Sequence, residues 1–374
     1  MSKVKNALTK YFSYPDHREA IYDFIRVFAC IGVVGIHTTP PIQTPANAFL
    51  FAFFRTAMPL FFVMSGALLL GGEEKPSDEK LGLFYLKRIE SVVLPFLIYI
   101  CFWGCWVDTW HSIPQIVSLE ELSSMIRLIP TVLYENLTGP HIAHFWFMYE
   151  LIGLYLISPF LKKGLHAFSA SFLKKLLLVI LIVMSVATYL PMLGISLYFT
   201  NYFAAWVIYY ILGYILTRKE MERTYPVLAV VGAIAFVFMV IWQYYHPDLE
   251  VTQFYHLQPH MMLCTAGIFS LCMLLKEKLT FSKKINWVMM HLGKYCFCVY
   301  AIHNAFLWNY QALYPEYGQR ASTTILVVLA VYGKALLFAI VFDNLITFNL
   351  QRLFRLVVKL ISLPCRRRND RMKR

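Results

Sequence analysis

The chain has 374 residues, 59% of them hydrophobic and only 15% charged, with a mean hydropathy of +0.57, which excludes a water-soluble globule, where about a quarter of residues are charged. Disordered, fibrous and disulfide-scaffolded chains are excluded on the same grounds. The net charge of +13, from 34 Lys and Arg against 21 Asp and Glu, reads as membrane topology and not as a nucleic-acid surface, because of where the cations fall.

Residues 1–20 are polar and charged, without an apolar core and cleavage site, and are read as a cytoplasmic N-terminal segment instead of a removed signal peptide. Apolar runs of about the 20 residues that a helix needs to cross a bilayer then predict ten spans, at about 21–38, 46–70, 84–107, 142–161, 172–192, 199–216, 225–245, 254–275, 287–310 and 322–347. Pro191 and Gly194 divide a run too long for one crossing, so a tight hairpin is expected there. Lys and Arg alternate along this layout. One set of segments holds Lys87 and Arg88, Lys162 and Lys163, Arg218 and Arg223, Lys276 to Lys284, and the tail from Arg352 to Arg374, whereas the other holds only Arg127 and Arg320. Cytoplasmic loops carry the cationic excess. The fold expected is therefore an all-α integral membrane protein, a single bundle of about ten transmembrane helices over 21–348, with both termini cytoplasmic and a basic tail, 349–374, that contacts anionic membrane lipid. The longer outer segment, 108–141, is expected to hold an interfacial helix around Leu119–Leu133.

Charges inside spans are costly, and those that persist usually face the bundle interior. In the first span, Arg26 and His37 are 11 residues apart, which returns to nearly the same helix face and climbs about 16 Å. Asp23 lies one turn before Arg26 and can pair with it, and Gly32 and Gly35 allow close approach of a helix or ligand. On spacing alone this is either a functional stripe or an internal salt bridge with a core histidine. The second span carries Arg55, Pro59, which frees a backbone carbonyl near Arg55, and Ser65-Gly66. The third opens with Lys87-Arg88, and the fourth with His141 and His144-Phe145-Trp146-Phe147, with Glu150 further in. Lys294, read as snorkelling, and His303 lie in the ninth span, and Lys334 and Asp343 in the tenth. The eight cysteines, among them Cys101 and Cys105 one turn apart, contain no Cys-x-x-Cys, and the outer histidines His111, His246, His256 and His260 form no ligand motif. Neither disulfides nor a metal are expected.

These residues, in this order, resemble the acyltransferase-3 family of bacterial membrane acyltransferases, nearly end to end. The likeness is carried by Arg26 and His37; by Arg55, Pro59, Phe61, Phe62, Ser65 and Gly66; by Lys87-Arg88; by His144, Trp146 and Phe147, continuing into Leu154 to Pro159; by Leu212-Gly213-Tyr214; and by Tyr300 and His303. It implies transfer of an acyl group, usually acetyl from acetyl-CoA, to a hydroxyl of a cell-envelope glycan or lipid-linked sugar in the cytoplasmic (inner) membrane, as in stand-alone O-acetyltransferases of surface polysaccharides. Where the family often carries a further arginine after Lys-Arg, this chain has Glu90-Ser91. A sugar hydroxyl is too weak an acid to attack a thioester unaided, and imidazole has the ordinary pKa, about 6.5, suited to taking its proton. His37 is accordingly expected to be the general base, with Arg26 and His303 completing the catalytic group. Arg55, Lys87 and Arg88 are expected at the cytoplasmic mouth with the phosphates of CoA, and Ser65, Trp146, Tyr300 and Asp23 as further substrate-binding residues. A secondary transporter of a polar envelope precursor is the alternative class, though it predicts a sequence repeat that is not seen. The acceptor's identity and the oligomeric state are not legible.

Overall fold

Backbone amides and carbonyls have no water to bond in lipid, so apolar runs of this length close their hydrogen bonds internally as helix. The computed structural model describes residues 19–39, 41–72, 78–107, 118–139, 142–190, 193–195, 205–247, 258–280, 282–313 and 320–372, and among them there is no β-strand. Residues 1–18, the segment 108–117 with His111, and His141 and His256 lie outside the described residues. Among the described residues the apolar stretches fall on helices, and six helices are long and apolar enough to cross a membrane, Trp206–Leu216 and Pro259–Leu274 being apolar but shorter. The chain is thus a helical protein of multi-pass membrane type. A helix, Leu119–Thr138, lies where an interfacial one is expected; the helix before the expected hairpin ends at Tyr189 and Gly194 has φ +76°, and the rest of that turn, 191–192 and 196–204, lies outside the described residues.

The helices divide into two units. The first comprises 1–16, 77–152 and 334–374, and the second 17–76 and 153–333. In the second unit, α1 (Ala20–Thr38) is followed by α2 (Pro45–Arg55) and α3 (Ala57–Leu70). The break between α2 and α3 lies at Thr56, where Pro59 cannot donate to the ladder and the Thr56 hydroxyl donates to the Phe53 carbonyl at 2.8 Å. Small residues set the close packing. Gly66 on α3 lies against the Tyr210 carbonyl of Ala205–Leu216, and Gly213 lies reciprocally against the Val63 carbonyl. Gly232 and Gly267 meet backbone to backbone where Tyr225–Tyr245 crosses Pro259–Leu274. Without a hydrophobic drive in lipid, this contact is what associates helices.

Pairwise contacts fix helix directions within each unit. Lys283–Leu313 runs parallel to α1, since Asp23 lies at Gly293, the Cys30 thiol reaches the Cys296 carbonyl at 3.5 Å, and His37 meets His303. Ala205–Leu216 runs parallel to α3, with Phe62 stacked on Trp206 at one end and Gly71 beside Thr217 at the other. Tyr225–Tyr245 and Pro259–Leu274 are antiparallel, as Gly232 meets Gly267 and Phe238 meets His260.

In the first unit, the helix over 78–107 contains two π-helical turns, Ile89–Val93 and Trp103–Val107, and the last helix contains one, Asp343–Thr347, before it continues as Phe348–Met372. The tail read from sequence as a basic extension is therefore the end of a long helix. The two helices are antiparallel. Arg355 pairs with Glu90, Gln351 donates to the Glu90 carbonyl at 3.0 Å, and the Tyr99 hydroxyl donates to Asp343 at 2.5 Å. Phe102 packs on Phe338 and Phe342 beyond them. Both buried acids lie in π-helical turns, Glu90 second in one and Asp343 first in the other, and each is met by a partner from the opposite helix, which is how a buried carboxylate becomes tolerable in an apolar helix.

Candidate active site

His37 lies one residue before the C-terminal end of α1, exposed although Val33 and Val34 one turn earlier are buried. Its ring centroid is 5.1 Å from that of His303, which is fully buried. The His303 Nδ1 is 2.6 Å from the Tyr300 carbonyl oxygen. A carbonyl only accepts, so Nδ1 carries the proton and Nε2 of the neutral ring is left as acceptor. Tyr300 contributes to this arrangement through its backbone, its own ring centroid standing 6.3 Å from that of His303. The parallel packing of α1 on Lys283–Leu313 brings together two histidines 266 residues apart, a juxtaposition that spacing within either helix could not disclose.

Arg55 ends α2. Gly32 and Gly35 of α1 pack on Ala57 and Phe54, which flank it, and Arg55 is close enough to His37 for their charges to interact. Its guanidinium carbon lies 3.6 Å from the centroid of the Phe51 ring, a cation–π contact that holds the side chain in place. Sequence reading expects Arg55 beside CoA phosphates at the cytoplasmic mouth. The structure sets it level with Gly32–Gly35, about 9 Å or more along α1 from Arg26 and within reach of His37.

Arg26 and Asp23 form the expected pair, Nη1 to Oδ1 at 2.8 Å, with Asp23 buried. Gly293 leaves the space that the Asp23 carboxylate fills, so the pair docks α1 onto the helix that carries His303. Ser65 is buried on α3 beside Gly66. The expected residues of the second unit therefore fall into two levels of one helix cluster, His37, His303 and Arg55 at one and Asp23 and Arg26 at the other.

The remaining expected residues belong to the first unit. Lys87 and Arg88 are half-buried at the start of the third apolar helix, Arg88 lying 5.8 Å from the Phe84 ring centroid. His144 is buried with its ring centroid 4.6 Å from that of Trp103, whereas Trp146 opens the helix Trp146–Leu165 and is exposed. Glu150, Lys294 and Lys334 are exposed. Sequence reasoning missed the partners of Glu90 and Asp343. Their only signal was the cost of acids in apolar helices.

A family model described as an acyltransferase domain, of the acyltransferase-3 type, matches residues 19–360, from α1 into the last helix. No curated protein and no solved structure matches the chain.

Proposed function

The chain belongs to the acyltransferase-3 family, and we propose that it moves an acetyl group from acetyl-CoA to a hydroxyl of a cell-envelope glycan or lipid-linked sugar, in the bacterial inner membrane. The observation that carries this reading is the exposed His37 imidazole set against a buried His303 of defined tautomer, with Arg55 alongside. His37 takes the proton from the acceptor hydroxyl as its oxygen attacks the thioester carbonyl carbon. Negative charge grows on the carbonyl oxygen, and the Arg55 guanidinium is the fixed cation near His37 that can stabilise it. Collapse of the tetrahedral intermediate breaks the carbon–sulfur bond, and the CoA thiolate takes the proton back from His37. His303 positions His37, and the Asp23–Arg26 pair positions the helix that carries it. Lys87 and Arg88 are the clustered cations proposed for the CoA phosphates, and Ser65, Trp146 and Tyr300 are proposed as further substrate-binding residues.

Ten crossings with both ends cytoplasmic accord with the helix directions. The first and ninth apolar stretches are parallel, as are the second and sixth, while the seventh and eighth, and the third and tenth, are antiparallel. Reporter fusions after Asp108 and Asp248 are expected to read outside, and those after Lys163 and Arg223 inside; two reversed readings discard the layout.

Membranes containing the protein should consume radiolabelled acetyl-CoA only when a glycan acceptor is present. Acceptor-dependent uptake of the sugar without acetyl transfer would instead identify a transporter.

A further inference from the structure

We propose that Gln243 and His260 form a subsite for a ligand hydroxyl, at the same end of the second unit as His37. Its assignment to a non-reacting hydroxyl of the acceptor sugar rests on the function proposed above. His260 is the second residue of Pro259–Leu274 and is 8% exposed. Gln243 ends the buried stripe Gly232, Ala235, Met239 and Gln243 of Tyr225–Tyr245 and is 7% exposed. In this antiparallel pair Gly232 meets Gly267 and Phe238 meets His260, so the stripe faces Pro259–Leu274 and Gln243 stands about one turn beyond the level of His260. The Gln258 Oε1 lies 2.9 Å from Nε2 of His260. An amide oxygen only accepts, so Nε2 carries the proton and Nδ1 of the neutral ring is left as acceptor. Among the described residues, Nδ1 of His260 and Nε2 of Gln243 have no hydrogen-bond partner. One acceptor and one donor are therefore left open on facing helices, and a buried polar group without a partner is costly. A hydroxyl answers both, donating to Nδ1 and accepting from Nε2.

The position fits an acceptor. Lys276, just past the end of Pro259–Leu274, pairs with Glu19, just before α1. Sixteen residues separate Lys276 from His260 and eighteen separate Glu19 from His37, about 24 and 27 Å of helix, which sets the two histidines at similar heights on helices that touch. Rings lead outward from the subsite. The Phe238 centroid is 5.4 Å from that of His260 and 5.8 Å from that of Trp242, and Trp242 stacks on the exposed His246 at 4.4 Å. Apolar ring faces beside a few fixed polar groups suit a pyranose, which has both apolar C–H faces and hydroxyls. An interfacial aromatic belt accounts for the exposed Tyr244 and Tyr245, but it does not call for two buried polar atoms left open.

The test uses the full-length protein in nanodiscs of phosphatidylcholine, whose headgroup has no hydroxyl. The probe is radiolabelled surface glycan of the cells that carry the protein, stripped of its esters by mild alkali, and its equilibrium binding is measured. Gln243→Leu removes the donor at similar volume, and His260→Phe removes Nδ1 while keeping a ring against Phe238. Each is expected to weaken glycan binding about tenfold, the worth of one buried hydrogen bond. Because Gln243→Leu also removes a buried donor without a partner, its melting temperature is expected to hold or rise, so lost binding does not come from unfolding. If His260→Phe does not fold, Gln243→Leu decides, and failure of Gln243→Leu to fold makes the amide structural and overturns the proposal. A second arm counts phosphatidylglycerol, whose headgroup carries hydroxyls, retained by the protein in native mass spectrometry. Loss of retained lipid in Gln243→Leu with glycan affinity unchanged assigns the hydroxyl to a lipid headgroup and supports the subsite. Unchanged glycan affinity and unchanged lipid retention overturn it, the result expected if the two atoms meet only trapped water. Wild-type protein that binds the glycan but transfers no acetyl to it defeats the function proposed above, and the variants' affinities still decide the subsite. If wild type binds no glycan, the lipid arm decides by itself.

Discussion

Replacement of His37 by alanine is expected to lower turnover by at least about 100-fold and by as much as about 10,000-fold, the range that general-base catalysis supplies. The expectation follows from position as much as from chemistry. His37 is the exposed member of an imidazole pair whose other member is buried, and it is the one that a substrate can reach. Because His37 is exposed, its truncation opens no buried cavity, so protein level and acetyl-CoA binding are expected to stay near wild type. Single-turnover transfer measured beside equilibrium binding separates the possibilities. Near-normal transfer removes His37 as the base, and loss of acetyl-CoA binding makes it a binding residue. His303→Gln keeps a hydrogen-bonding side chain but not the imidazole's two opposed nitrogens, and a positioning role predicts a smaller loss, about tenfold.

Gly66→Val is expected to abolish assembly altogether. A Cβ built on Gly66 falls on the Tyr210 carbonyl, and one on Gly213 falls on the Val63 carbonyl. Both obstacles are backbone, which cannot rotate away as a side chain would. The helix pair would have to separate, losing the contact on which helix association in lipid depends, a cost beyond the few kcal/mol that most single substitutions bring. Gly153→Ala is the matched control, since nothing lies within 4 Å of a Cβ added there. Size-exclusion of the detergent-solubilised protein should show no monodisperse peak for Gly66→Val and a normal one for Gly153→Ala. A wild-type profile for Gly66→Val would show that this crossing does not hold the bundle.

What could be read from the sequence was what one helix contains. The apolar runs, the carbonyl that Pro59 frees, the pairing of Asp23 with Arg26 at three residues' spacing and the stripe from Arg26 to His37 are all local, fixed by helix geometry. What could not be read depends on register between helices. That α2 packs on α1 through Gly32 and Gly35 and so brings Arg55 to His37 could not be read from the place of Arg55 in its own span. Tyr300 was expected as a substrate-binding residue one turn from His303, and only the structure shows that its carbonyl meets Nδ1 of that histidine. Glu90 looked like a departure from a cationic cluster, and its ion-pair partner, Arg355, lies in what the sequence reads as the tail. Ser65-Gly66, read as a small polar helix end, contains the glycine on which α3 meets Ala205–Leu216.

The central claim is that this family member acetylates an envelope glycan with His37 as base. The most direct measurement compares, by mass spectrometry, the surface glycans of cells lacking the protein and complemented with wild type or with His37→Ala. The account predicts an acetyl ester on the glycan with wild type and its absence, at equal protein level, with His37→Ala. Glycans that carry the same acetyl esters in all three strains would contradict it.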